Sequence, residues 1–434
     1  MNGKHFIYQL LPRLWGNGRF ASCDAEFALY LQSLGVDYLW LTGIPRHASG
    51  EDFVKGNPGS PYAVCDWYDV NPYLADEPEK RMEEFLSLLD RMHAAGLKCL
   101  TDFIPNHVAR NYRGALPLYS FCDGDWTDTL KVNWSEPATE KEMLEILRFW
   151  AAKGVDGFRC DMVELVPCEA LGRVVKAVKR EFPGLLFVAE VYGKENYSRY
   201  IEEGSFDLLY DKSGAYDILR GINAGRRSAR ELSRNWQWLG KMQANMLNFL
   251  ENHDEQRIAS PWFAGSPDAM WPALAFELLF NDASFMLYAG QEAGEDAAEG
   301  HEGRTSIFNW CRPRSFEELY SLIHGGDGMS TSSRLVLTRY KELLALAREP
   351  VFRYGSNWDL CYCNLGSPGF DPDRHFAFAR YDADAAWMVF CNFSSERASA
   401  LIRYPEELIA AAGLSKAETL VEVPAKGYAL VRCR

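Results

Sequence analysis

Residues 79–104 read EKRMEEFLSLLDRMHAAGLKCLTDFI, and the two halves of this stretch follow different periods. Met82, Phe85, Leu86, Leu89 and Met92 recur every three or four residues, the spacing of one face of a helix over Glu79–Ala95. Gly96 then supplies the left-handed stop that ends such a helix. The following run, Leu97 to Ile104, is strand-sized and apolar enough to be buried. A helix feeding directly into a buried strand is the repeating unit of parallel α/β architecture.

Working outward, the same kind of strand recurs. Phe6 to Leu11, Tyr38 to Leu41, Gly157 to Cys160, Leu185 to Ala189, Phe206 to Tyr210, Met246 to Leu250 and Phe285 to Tyr288 are all short, apolar and β-rich. With Leu97–Ile104 they make eight, and amphipathic stretches separate them. Thr139 and Glu142 have the spacing of a capping box, predicting a helix through Leu144, Leu147 and Trp150 that stops at Gly154. Eight alternating units predict a closed (β/α)8 barrel rather than an open sheet. The helical stretch Ser333–Arg348 is expected to complete it. After Pro350 the texture changes. Arg374–Phe393 reads as a hairpin turning at Asp382-Ala383-Asp384, followed by strands Thr419–Val423 and Tyr428–Cys433. The expected organisation is a barrel over residues 1–349 and a C-terminal antiparallel β domain, sandwich-like, over 350–434.

Composition narrows the function. The 434 residues carry 46 basic and 60 acidic side chains, a formal charge of −14, which disfavours a nucleic-acid partner. No apolar run approaches the ~20 residues of a membrane helix. Eleven scattered cysteines lack the spacing of a metal knuckle or a disulfide framework, and Lys4 precedes only a short apolar run without a cleavage site. A reducing cytoplasm is the expected compartment, barring a leader removed earlier.

The chemistry-bearing residues cluster at strand ends. Leu100-Thr101-Asp102 leads into Asn106-His107. Gly157-Phe158-Arg159-Cys160-Asp161 sets an arginine and an aspartate on one strand face. Ala189 precedes Glu190, and Asn252-His253-Asp254 follows the Met246 run. A single acid at a strand end is commonly a helix cap or a solvated loop residue. Four such ends with arginine or histidine companions, on the face where barrel enzymes build their sites, predict that Asp102, Asp161, Glu190 and Asp254 converge on one pocket. Paired carboxylates there suit acetal cleavage. Asp161, kept ionised by Arg159, suits the nucleophile, and Glu190, after an apolar run, suits the general acid. Asp254, His253 and His107 are candidates for holding sugar hydroxyls.

In these segments the chain resembles the α-amylase family of glycoside hydrolases. Asp102-Phe103-Ile104-Pro105-Asn106-His107, Gly157-Phe158-Arg159-Cys160-Asp161, Ala189-Glu190-Val191 and Asn252-His253-Asp254 match its four signature segments in order. Pro61–Pro72 and Tyr288-Ala289-Gly290-Gln291-Glu292 resemble two further family segments, and the similarity covers roughly residues 5 to 350. The resemblance implies a retaining α-glycoside hydrolase acting on starch-type glucans or malto-oligosaccharides. It implies Asp161 as nucleophile, Glu190 as acid/base and Asp254 as transition-state stabiliser. Tyr62, Asp102, His107, Arg159 and His253 are its expected substrate-binding residues.

Two departures stand out. Leu165 occupies a position where many members have histidine, which bears on the adjoining sugar subsite. The insertion over 108–136 (a short domain B) is smaller than in members that bind calcium. Asn106 matches a calcium ligand, with Asp123, Asp125 and Asp128 as possible oxygen donors, so calcium is a possible cofactor but not a required one. Trp67, Trp126, Trp134 and Trp262 fall near loops of the active-site face as possible sugar platforms. A transglycosylase or isomerising enzyme would keep the same three acids, and a non-catalytic carbohydrate-binding or partner protein on this scaffold is a further alternative. A metal-dependent hydrolase lacks support, because no histidine pair has metal-binding spacing. Linkage, endo or exo action and oligomeric state have no sequence signal.

Overall fold

The computed structural model describes residues 3–122, 124–300 and 302–434. Eight parallel strands close a barrel: β1 (Phe6–Leu10), β2 (Tyr38–Leu41), β3 (Lys98–Phe103), β4 (Gly157–Cys160), β5 (Leu186–Ala189), β6 (Leu208–Tyr210), β7 (Met246–Phe249) and β8 (Ser284–Tyr288). Each pairs with its neighbours in chain order, and β8 returns to β1. Alternation divides the side chains. Ile7, Trp40, Leu100, Val188, Tyr210 and Phe249 fill the barrel interior. Tyr8, Leu39, Cys99, Phe158 and Phe187 point outward into the larger core shared with the helices.

The unit that decided the fold forms as its periods require. The helix spans Arg81–Ala94, buries Phe85, Leu88, Leu89 and Met92, and ends before Gly96 at φ +76°. One expectation is overturned. The helix after the insertion spans Pro137–Ala152 and starts two residues before Thr139, because Pro137 takes the first helical position, where no N–H is needed. The Thr139 hydroxyl donates to the Asn133 carbonyl at 2.6 Å, and Glu142 accepts from Tyr68, so neither caps the helix.

Helix Thr331–Ala347 packs on helix Trp271–Leu279 and on the turn after β8. Beyond it come β9 (Ser356–Asp359), β10 (His375–Tyr381), β11 (Ala386–Asn392), β12 (Ala398–Arg403), β13 (Glu418–Val423) and β14 (Gly427–Arg432). They form a four-stranded sheet in the order β9-β10-β11-β14 and a separate β12-β13 ribbon. The hairpin turns where the sequence places it. Phe276 and Phe280 meet Phe376 and Phe378 with ring centroids 5.0–5.1 Å apart, a buried aromatic seam between barrel and β domain. Among the described residues, no helix is long and apolar enough to cross a membrane.

Candidate active site

Strand register brings two acids together. Phe103 pairs with Cys160 and Cys160 with Ala189, so Asp161 and Glu190 are the first residues past adjacent strand ends. Their amides still donate down the ladder, to Phe103 O at 2.9 Å and Cys160 O at 3.0 Å. Arg159, two residues before Asp161, lies inside the barrel with no exposure. Its Nη1 donates to Asp161 Oδ1 at 2.6 Å. Its Nη2 lies 2.9 Å from Glu190 Oε1, an ion-pair contact with the N–H directed off the line of a good hydrogen bond. The rings of Trp40, Tyr62 and Tyr210 surround the guanidinium at 5.3–5.5 Å.

Glu190 is fixed at both oxygens. Met162 N donates to Oε2 at 2.8 Å, and the Tyr192 hydroxyl donates to Oε1 at 2.7 Å. Met162 reaches it from a left-handed backbone, φ +45°, a strained conformation for a side chain of its size. Burial raises Glu190 above the usual glutamate range and Asp161 pushes the same way, while the guanidinium and the two hydrogen bonds pull back.

Asp254 lies on the turn after β7, past the strand end at Phe249, with its Oδ2 3.1 Å from His253 Nε2. Desolvation first, then repulsion from Glu190, lifts it to about 8. Its side chain is 40% exposed to the cleft, and solvent on that side works against the rise. His253 is locked between Gln9 Nε2, 2.7 Å from Nδ1, and the Tyr62 hydroxyl, 2.5 Å from Nε2. Burial, with Arg159 nearby, holds this imidazole neutral.

The cleft above these groups encloses about 190 Å³. Asp161, Glu190 and Asp254 line it together with Tyr62, His107, Trp126, Asp128, Met162, Tyr192, Lys55, Ile307 and Phe308. Three expected binding residues do not face it. Asp102 projects into the barrel, 1% exposed, where its carboxylate accepts from Trp40 Nε1 and Gly43 N at 3.1 Å each. Burial pushes it up to about 7. It is a buttress beneath the floor, because its strand position points inward rather than upward. His253 reaches the cleft only through Tyr62 and Asp254. Arg159 acts only through the carboxylates it holds. Leu165 is an exposed residue of the turn Val163–Leu165 and is absent from the cleft wall.

The tryptophans separate by environment. Trp67 is core, packed on Phe103, and Trp134 donates to Pro105 O at 2.9 Å. Trp126 lies over His107, centroids 5.0 Å apart, in the cleft wall. Trp262 is exposed. The sequence reading missed Lys55, Met162, Tyr192, Ile307 and Phe308. Tyr192 was recoverable, since it alternates onto the face of Glu190 two residues earlier. The others sit on turns without periodicity.

The suggested calcium donors do not converge among the described residues. Asp123 lies outside them. Asp125 is exposed, and Asp128 faces the Lys55 ammonium at 3.5 Å. Val132 N donates to Asn106 O and Arg110 N to Asp128 O across one two-stranded ribbon. Asn106 and Asp128 are thus four residues apart along it, roughly 13 Å.

The model of the α-amylase catalytic domain matches residues 28–115 and 119–320. The chain belongs to the α-amylase family. The closed barrel with its C-terminal sheet is the family fold. Alpha-amylase MalA of Haloarcula japonica is 26% identical over 421 residues, covering 90% of this chain and 55% of that protein. The chain thus spans about half the length of this relative. Among solved structures, an alpha-amylase from Lactobacillus plantarum superposes with TM-score 0.74 at 22% identity, covering 99% of this chain and 98% of that one. A cyclic alpha-maltosyl-(1→6)-maltose hydrolase from Arthrobacter globiformis gives TM-score 0.76 at 18% identity, covering 99% of both chains.

Proposed function

We propose that this α-amylase-family protein is a retaining α-glucoside hydrolase acting on starch-type glucans or malto-oligosaccharides. The observation that carries the reading is that Asp161 and Glu190 share one buried guanidinium beneath an open cleft. Acids sharing one guanidinium are near enough for the ~5–5.5 Å separation of retaining sites.

In the first step Asp161 attacks the anomeric carbon while Glu190 protonates the departing glycosidic oxygen. The C–O bond breaks and a glycosyl ester on Asp161 forms. In the second, Glu190 as carboxylate takes a proton from water, whose oxygen displaces Asp161 with net retention. Arg159 holds Asp161 in place, and burial raises Glu190 above the usual glutamate range, which favours its acid form. Asp254, with Tyr62 and His107, is positioned to hold the ring hydroxyls as charge develops. Water and a second sugar compete for the same intermediate, so transglycosylation is the alternative outcome of this site. Eleven free thiols favour a reducing compartment.

A time course on maltoheptaose followed by NMR tests the reading. The expected result is shorter products released in the α configuration that mutarotate afterwards. Initial β products would overturn it, and products longer than the substrate would make transfer the dominant reaction. Calcium is proposed to be dispensable, since Lys55 already supplies the cation beside Asp128. Dialysis against a chelator is expected to leave rate and Tm unchanged, and losses restored by calcium would refute that.

A further inference from the structure

Beside the catalytic cleft, between the loops after β6 and β7, runs a second groove of about 600 Å³. Glu255 and Gln256 line it and directly follow Asp254, so consecutive residues of one turn line the two depressions. Trp262 stands at its edge with 67% of its surface exposed.

A single exposed aromatic is ordinary on a protein surface. This one is displayed by a rigid turn. Ser260 Oγ accepts from Trp262 N at 3.1 Å, and Ser260 O accepts from Phe263 N at 3.0 Å and Gly265 N at 2.9 Å. Ser260 N in turn donates to the carbonyl of the wholly buried Arg257.

The groove's polar groups are equally fixed. Arg220 lies 3.4 Å from the Phe263 ring centroid and donates to Gln256 O at 3.0 Å. Glu255 accepts from the Tyr216 hydroxyl at 2.9 Å and faces Lys212 Nζ at 3.1 Å. An indole face for the apolar side of a pyranose, beside planar amide, carboxylate and guanidinium groups for its hydroxyls, is chemistry suited to a neutral sugar chain. The catalytic cleft, at about 190 Å³, is smaller than the ~300 Å³ at which pockets for drug-sized ligands begin. A chain of several residues with one bond in the cleft must continue outside it.

We propose that the Trp262 groove binds a second stretch of the same α-glucan chain whose scissile bond lies in the catalytic cleft. It makes the enzyme favour longer substrates. The inference rests on the assignment of the cleft to α-glucans.

The test compares KM for maltoheptaose with KM for maltose in the parent enzyme, Trp262→Ala and Trp262→Phe. In Trp262→Ala the maltoheptaose-to-maltose KM ratio is expected to rise about fivefold, the loss of one aromatic platform. Trp262→Phe recovers most of it. An unchanged ratio, or an equal loss on both sugars, overturns the groove. If the parent turns over neither sugar, the cleft assignment fails. Titration of the full chain with maltoheptaose then decides the groove separately. A fluorescence quench present in the parent and absent in Trp262→Ala supports it, and a quench indifferent to Trp262, or none, overturns it.

Discussion

Arg159 and Arg257 are both wholly buried and both meet an acid, yet one builds a site and the other a joint. Each guanidinium nitrogen of Arg257 has a partner. Nη1 donates to Glu251 at 2.8 Å, Nε to Thr305 Oγ1 at 2.9 Å and Nη2 to Ala289 O at 2.9 Å. The other Glu251 oxygen accepts from Ile258 N at 2.6 Å, so both oxygens are engaged, and the carboxylate is buried away from any cleft. This network ties the loop after β7 to β8. Arg159 instead holds Asp161 and Glu190 from below, and both acids line the cleft. What separates a structural ion pair from a functional one is whether the acid keeps a side turned to open space, not its depth of burial.

The sharpest way to break this contrast is to remove one charge on each side. Asp161→Asn is expected to lower kcat by on the order of 10⁴-fold or more while urea unfolding shows near-parent stability. Retained turnover would remove Asp161 from the mechanism. Arg257→Met should do the reverse. It strands the Glu251 charge in the interior and costs about 3–5 kcal/mol by urea titration, while the folded fraction still releases the parent's anomer. A variant of parent stability would show that Glu251 is already neutral there.

Tyr192→Phe sharpens the same comparison on a smaller scale. The hydroxyl donates to Glu190 and so favours its carboxylate form. Without it the Glu190 pKa rises, the acid form persists to higher pH, and the alkaline limb of kcat/KM moves upward, by under about one unit. A limb that moved downward, or stayed, would mean that another group sets it.

Much of this was legible because barrel strands announce themselves twice, by apolar runs and by the acids at their ends. The four segments from Asp102 to Asp254 carry both signals. The misreadings have a common physical origin. Asp102 and Asp161 look alike as strand-end acids. One precedes the end of its strand and points into the barrel, while the other follows it and opens to the cleft. Thr139 has a capping spacing, but Pro137 had already started the helix. Lys55, Ile307 and Phe308 belong to turns whose residues are chosen by what lies across the cleft, which no local pattern records.

The sequence by itself determined the eight strands, their chain order, the β hairpin beyond them and the acids clustered at strand ends, because periodicity and composition act within a few residues of the chain. Only the tertiary structure decided which acids face the cleft, that Lys55 stands beside Asp128, and that Trp262 lines a groove next to Asp254. Each of these depends on contacts between segments far apart in sequence, set by strand register and loop packing.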